Sequence, residues 1–264
     1  MPITLRSKQE VEKLRAAGQL VAEAFVYLRD FVRPGATTLE LDALAEEFIR
    51  SRGATPVYKG YVPRGGGNGR PSIPPFPGSI CTAVNDVICH GIPRRDEQLK
   101  AGDIIGVDIG VRLHGWVGDA CVTYPVGDID AASQTLVRLS EECLWAGIEQ
   151  ARAGHALGDI GAAIQEHAEG HGLSVVHEYT GHGVSRQLHD EPTIFHVGER
   201  GKGRKLLPGM VFTIEPMINA GKANTKIDRD AWTVRTVDGK RSSQFEHTVV
   251  VTADGAPLIL TLLQ

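Results

Sequence analysis

The sequence predicts an α+β protein built from two similar halves. Segments of helical period and segments of strand character alternate in blocks, and the second strand block repeats the first. With 42% of its 264 residues hydrophobic, the chain is also long and apolar enough to bury a full core.

The elements follow in order. Ser7 with Glu10 has the spacing of a capping box, and Val11, Leu14, Val21, Phe25 and Leu28 keep helical spacing until Pro34-Gly35 stops it. A second helix starts after Thr37, with Glu40 three residues on, and ends before Gly53. Residues 54 to 78 are rich in glycine and proline and read as a long surface loop, with a glycine-rich insertion at about 62–72. From Ile80 the texture changes to short apolar runs separated by glycine. Ile104 to Ile109, Val117 to Tyr124, Val211 to Ile218 and Phe245 to Val251 are read as strands. Between the strand groups, Ala131 to Ala151 and about Ile160 to Glu169 are read as helices, ended by Gly154 and Gly170.

Self-alignment shows why helices and strands alternate in blocks. Leu99-Lys-Ala-Gly-Asp-Ile-Ile-Gly-Val-Asp108 matches Leu206-Leu-Pro-Gly-Met-Val-Phe-Thr-Ile-Glu215. Asp119-Ala-Cys-Val-Thr-Tyr answers Glu246-His-Thr-Val-Val-Val, and Ile88-Cys-His90-Gly-Ile-Pro answers Thr180-Gly-His182-Gly-Val-Ser. Each half therefore offers one histidine and two acids in the same order. Residues 1–264 are read as one domain with a pseudo-repeat over about 80–150 and 175–264.

Composition narrows the function classes. The 28 basic and 32 acidic residues, a net charge of -4, are spread along the chain, which argues against a nucleic-acid surface or a polybasic membrane anchor. The N-terminus has no apolar run of the signal-peptide kind, and no stretch approaches a membrane span. Cys81, Cys89, Cys121 and Cys143 form no C-x-x-C pair and are read as reduced, buried thiols in a cytoplasmic protein.

The chemistry lies in the acids. A carboxylate in a run such as Ile104-Ile-Gly-Val-Asp108-Ile-Gly-Val111 is costly unless a cation accompanies it. Arginine or a metal could supply the charge. Four acids in symmetric positions, Asp108, Asp119, Glu215 and Glu246, favour metal, because two divalent ions would balance them. His182 completes a mixed oxygen and nitrogen set that suits cobalt, manganese, iron, zinc or nickel alike. The bland alternative is acids that cap turns or face lysine, which fits one of them better than four in register.

Specific motifs carry a family resemblance. Asn85-Asp-Val-Ile-Cys-His90-Gly-Ile-Pro, Val107-Asp108-Ile-Gly, Gly118-Asp119-Ala, Gly181-His182-Gly-Val with His189-Asp-Glu-Pro192, Phe212-Thr-Ile-Glu215-Pro-Met and Gln244-Phe-Glu246-His resemble the type I methionine aminopeptidases. The resemblance covers nearly the whole chain apart from the glycine-rich insertion. It implies the pita-bread fold, two pseudo-symmetric halves around a central antiparallel sheet with helices on the outer face.

The resemblance also assigns roles. Asp119 and Glu246 would bridge two divalent ions, Asp108 would serve one ion, and His182 with Glu215 the other. A metal-bridging hydroxide would attack the carbonyl after an initiator methionine that precedes a small second residue. Glu215 would relay the proton, His189 would help hold the oxyanion, and His90 would orient the amide of the second residue. Tyr61, Phe76, Cys81, Leu188 and Trp232 would wall the methionine pocket, and a monovalent cation would sit near Asn85, Val87 and Ser242. The implied substrates are nascent polypeptide N-termini, and the implied enzyme is a cytoplasmic monomer with ribosome contact as an added option.

Rival readings have their own markers. A prolidase relative would carry an additional N-terminal domain, a type II enzyme a long insertion in the second half, and a non-catalytic binding relative would lack metal ligands. His167-Ala-Glu-Gly-His171 imitates a zinc-protease helix, but its glutamate is misplaced and Gly170 sits where the helix should end, so a solvated helix end is preferred. Gly65-Gly-Gly-Asn-Gly69 precedes Pro71 instead of opening a helix, so a phosphate cradle is set aside in favour of a rim or lid. Lys202, Arg204 and Lys205 read as a solvated turn.

Overall fold

The structure is a computed structural model that describes residues 3–63 and 73–263. Apart from Val62 and Pro63, the glycine-rich insertion and the lid expected of it lie outside the described residues.

The first helix, α1, spans Lys8–Arg29 and is opened by the expected box: Glu10 N–H donates to Ser7 Oγ, and Ser7 N–H donates to Glu10 Oε2 at 2.9 Å. The second, α2, Thr38–Ser51, repeats the device with Thr37 and Glu40. Losing such a cap costs about 1 kcal/mol. Their apolar faces (Val21, Phe25, Leu28, Leu41, Ile49) cover a pair of long strands through a core that includes Ile105, Val107 and Ile109. Burying a leucine as fully as Leu28 is buried stabilises by roughly 1.5–3 kcal/mol.

Among the described residues, five strands build the first half. These are β1 Thr55–Pro56, β2 Cys81–Val84, β3 Val87–Cys89, β4 Ile104–Leu113 and β5 Trp116–Pro125. The β4–β5 hairpin turns on His114 and Gly115, both with positive φ (49° and 81°), which suits a tight turn between twisted antiparallel strands. Strand β4 pairs along its whole length with β5 on one edge, while β2 and β1 pair with successive stretches of its other edge.

Helices α3, Ala131–Glu149, and α4, Leu157–Gly170, then cross to the second half. Asp130 caps α3 by accepting from Ser133 N–H at 2.7 Å. Ten short strands follow: β6 Ser174–Val175, β7 Gly181–Gly183, β8 Asp190–Ile194, β9 Val211–Ile214, β10 Met217–Asn219, β11 Thr225–Ile227, β12 Val234–Thr236, β13 Ser242–Gln244, β14 His247–Val250 and β15 Leu258–Ile259. One sheet runs β15-β14-β9-β7-β8, and two smaller ones run β13-β10-β6 and β11-β12-β3. Among the described residues, every pairing in these four sheets is antiparallel. Helices α3 and α4 pack Leu136, Leu144, Ile160 and Ile164 against Phe212 and Ile214 of β9.

Two expectations need correcting. Residues 54 to 78 are not all surface loop, because Thr55–Pro56 pair as β1 and Tyr58 and Phe76 are buried. The run Val211 to Ile218 is not one strand but two in different sheets, because Pro216 has no N–H to continue a ladder. The halves join where Glu246 N–H donates to Cys121 O at 2.9 Å, Thr123 Oγ1 to Gln244 O at 2.7 Å and Thr248 Oγ1 to Asp119 O at 2.7 Å. The four cysteines are free and buried.

Candidate metal centre

The four acids and His182 reach one place by different routes. On the β4–β5 ladder, Asp108 pairs with Cys121 and Gly110 with Asp119, so the two aspartates project from the same face. Glu215 leaves the end of β9, where the chain breaks at Pro216. Glu246 stands at the start of β14 and bridges to Cys121. His182 occupies the middle of β7 between two glycines. A Cβ on Gly183 would lie 2.1 Å from Glu191 O, so only glycine lets β7 approach β8 this closely.

Ligand atoms of Asp119, His182 and Glu246 all lie within 4.8 Å of one another. His182 Nε2 stands 3.7 Å from Asp119 Oδ2 and 3.5 Å from Glu215 Oε1. His182 Nδ1 is 3.1 Å from Gly183 O, so the proton belongs on Nδ1 and the Nε2 lone pair faces the carboxylates. Thr213 Oγ1 donates to Glu215 Oε1 at 2.7 Å, and Gln244 Nε2 donates to Glu215 Oε2 at 3.4 Å. Asp108 joins the group through Tyr58, whose hydroxyl lies 2.5 Å from Oδ1 of both Asp108 and Asp119.

Among the described residues, no lysine or arginine forms an ion pair with any of the four acids. Burial pushes Asp108 up to about 7, with the Tyr58 hydrogen bond opposing it, and pushes Glu215 up to about 8. Asp119 and Glu246 rise well above the usual carboxylate range, through burial first and the charges of neighbouring acids second. Burial lowers His182 to about 3 and His90 to about 4, with the nearby His189 adding to both, which leaves neutral imidazoles. Glu246 Oε1 is buried without a hydrogen-bond partner. An orphaned carboxylate oxygen, several buried anions and an imidazole lone pair turned toward them form a donor set that fits divalent metal.

The twelve positions assigned by sequence to metal binding, catalysis and the methionine pocket line one cavity of about 480 Å³, whereas Asn85, Val87 and Ser242 do not line it. The acids and His182 sit at its polar end. Tyr61, Phe76, Cys81, Leu188 and Trp232 form the rest of the wall, with the Phe76 and Trp232 rings edge to face at 5.2 Å. Tyr61 Oη lies 2.7 Å from His189 Nδ1, and the His189 ring stands 4.3 Å from that of His182. His90 adopts φ 55°, unusual for a non-glycine residue, and its ring meets Tyr179 edge to face at 5.5 Å.

Residues 12–253 match the metallopeptidase family M24. The chain belongs to this family. It is 50% identical to methionine aminopeptidase A of Synechocystis sp. over 98% of each chain. The crystal structure of methionine aminopeptidase from Rickettsia prowazekii superposes with a TM-score of 0.92 at 45% identity, covering 99% of this chain and all of that one. The enzyme from Thermotoga maritima also gives 0.92, at 37% identity and the same coverage. The M24 chain thus has the pita-bread α+β fold expected of it.

Two site residues lay beyond sequence reasoning. Tyr58 has no local signal, since only the pairing of β1 with β4 carries it to Asp108. His196, 1% exposed, accepts the Glu215 backbone N–H on Nε2 at 3.1 Å, replacing the ladder partner lost at the break in β9–β10. Burial holds it neutral, lowered to about 3. The helical pair set aside earlier is a helix end: His167 Nε2 lies 3.0 Å from Glu142, and His171 Nδ1 lies 2.8 Å from His167 O.

Proposed function

We propose that this M24 metallopeptidase removes the N-terminal methionine from nascent polypeptides whose second residue is small, using Asp108, Asp119, His182, Glu215 and Glu246 to hold two divalent ions. The observation that carries the reading is the juxtaposition of a cation-seeking cluster and an apolar, aromatic-walled pocket in one cavity. Divalent ions bound there would polarise the scissile carbonyl and make water a nucleophile at neutral pH.

The protein's own groups do the rest. Phe76, Trp232 and Leu188 take the unbranched, polarizable methionine side chain out of water. His189, steadied by Tyr61, donates to the carbonyl oxygen as negative charge develops on it. His90, neutral and set against Tyr179, accepts from the amide N–H of the second residue. Glu215, fixed by Thr213 and Gln244, carries a proton from the attacking water to the departing amine. The free, buried thiols suit the reducing cytoplasm where such substrates are made, and among the described residues no helix is long and apolar enough to cross a membrane.

Chelator-treated protein titrated with Mn²⁺ or Co²⁺ should regain cleavage of Met-Ala-Ser as two equivalents bind, and should leave Xaa-Pro peptides intact. Saturation at one equivalent with full activity overturns the two-ion reading. Preference for Xaa-Pro peptides overturns the substrate.

A further inference from the structure

Tyr58 lines the polar end of the cavity, the proposed reaction gives it no role, and its setting is built. The β1–β4 pairing runs on through Val57 N–H, which donates to Gly110 O at 3.0 Å and delivers Tyr58 over the β4–β5 face that bears Asp108 and Asp119. That face has a vacancy shaped for the ring. A Cβ on Gly110 would come 3.0 Å from Tyr58 Cζ and 2.4 Å from Val57 Cγ2, so no larger residue leaves space for the ring where it lies. The ring is 9% exposed and packs in the apolar cluster with Phe76, Cys81 and Trp232, while Oη lies 2.5 Å from both aspartate Oδ1 atoms. A buried phenol normally finds one hydrogen-bond partner. This one is shared by two carboxylates that would otherwise repel each other and turn freely about their last torsion.

We propose that Tyr58 is a positioning residue of the metal centre: its hydroxyl ties Asp108 Oδ1 to Asp119 Oδ1 and fixes the orientation in which both carboxylates present their remaining oxygens to the ions. The proposal rests on the two-ion reading above. Partners that orient metal ligands typically govern affinity by ten- to a hundredfold when removed. Because the ring also closes the methionine pocket, one residue couples the polar and apolar ends of the cavity.

Tyr58→Phe removes the hydroxyl and keeps the ring, so pocket and fold are retained. Calorimetric titration of chelator-treated protein with Co²⁺ should show affinity weakened by about tenfold or more. The visible spectrum of the Co²⁺-loaded variant should differ from wild type, because the carboxylates coordinate differently. At saturating metal the KM for Met-Ala-Ser should stay within about twofold while kcat falls. An unchanged Co²⁺ affinity and spectrum in the variant, with wild type binding normally, overturns the role of Tyr58. Wild type that binds no Co²⁺ overturns the metal reading itself, and the two failures are distinct.

Discussion

The two halves supply matching acids by unlike means. In the first, Asp108 and Asp119 stand inside ten-residue strands, β4 and β5, whose ladder fixes their spacing. In the second, Glu215 and Glu246 stand just outside four-residue strands, and side chains take over from the ladder: His196 accepts the Glu215 N–H, while Thr213 and Gln244 hold its carboxylate. A continuous hairpin is stiff and fixes where both side chains leave the backbone, so that one hydroxyl, that of Tyr58, reaches both carboxylates. An interrupted one is adjustable but depends on each prop. The proposed ligand that also moves a proton, Glu215, sits on the adjustable side.

The largest effect expected tests whether the halves are equal. Asp119→Ala and Glu246→Ala should each abolish turnover and lower bound metal, since each is proposed to hold both ions and its loss would leave the other acids repelling one another. Activity and metal content retained in one of them would make its half dispensable. Elemental analysis with a Met-Ala-Ser assay decides.

A smaller change should expose the dependence of the second half on its props. His196→Leu leaves the Glu215 N–H buried without an acceptor, at a cost of about 1–3 kcal/mol, and should reduce metal affinity along with stability. His196→Gln, which offers an acceptor oxygen, should recover part of both. Equal affinities for all three proteins would mean that the break at Pro216 is self-supporting. Thermal melts and metal titration measure the two quantities.

The mildest test varies pH on metal-free protein. The folded carboxyls of Asp108 and Glu215 lie at about 7 and about 8, above their unfolded values, so the folded state binds more protons. Their burial is least costly below about pH 4 and most costly above about pH 8. Stripping metal should therefore destabilise the protein more at pH 8 than at pH 6. A chelator effect on the melting temperature that is flat across this range would contradict the buried, uncompensated acids described here.

Legibility from sequence divides along the same line. The caps at Ser7 and Thr37 are local and could be read directly, and the β4 and β5 strands are continuous apolar runs. The metal-ligand candidates were visible because a carboxylate in such a run is a local contradiction, and the repeat doubled the signal. The division of residues 211–218 was less visible, because Pro216 had to outweigh a strongly apolar stretch. Tyr58 and His196 were hidden altogether: each acts across a contact made only when distant segments pair, and neither departs from its local pattern.

The glycine at position 183 has a consequence for heritable variation. Because any Cβ there would meet Glu191 O at 2.1 Å, every missense change at that codon forces β7 away from β8 and carries His182 with it. In a deep mutational scan selected on peptide cleavage, codon 183 should tolerate only synonymous substitutions. Codon 115, where a Cβ would meet nothing closer than Arg186 at 3.5 Å, should fail more gently, in proportion to the strain of its positive φ.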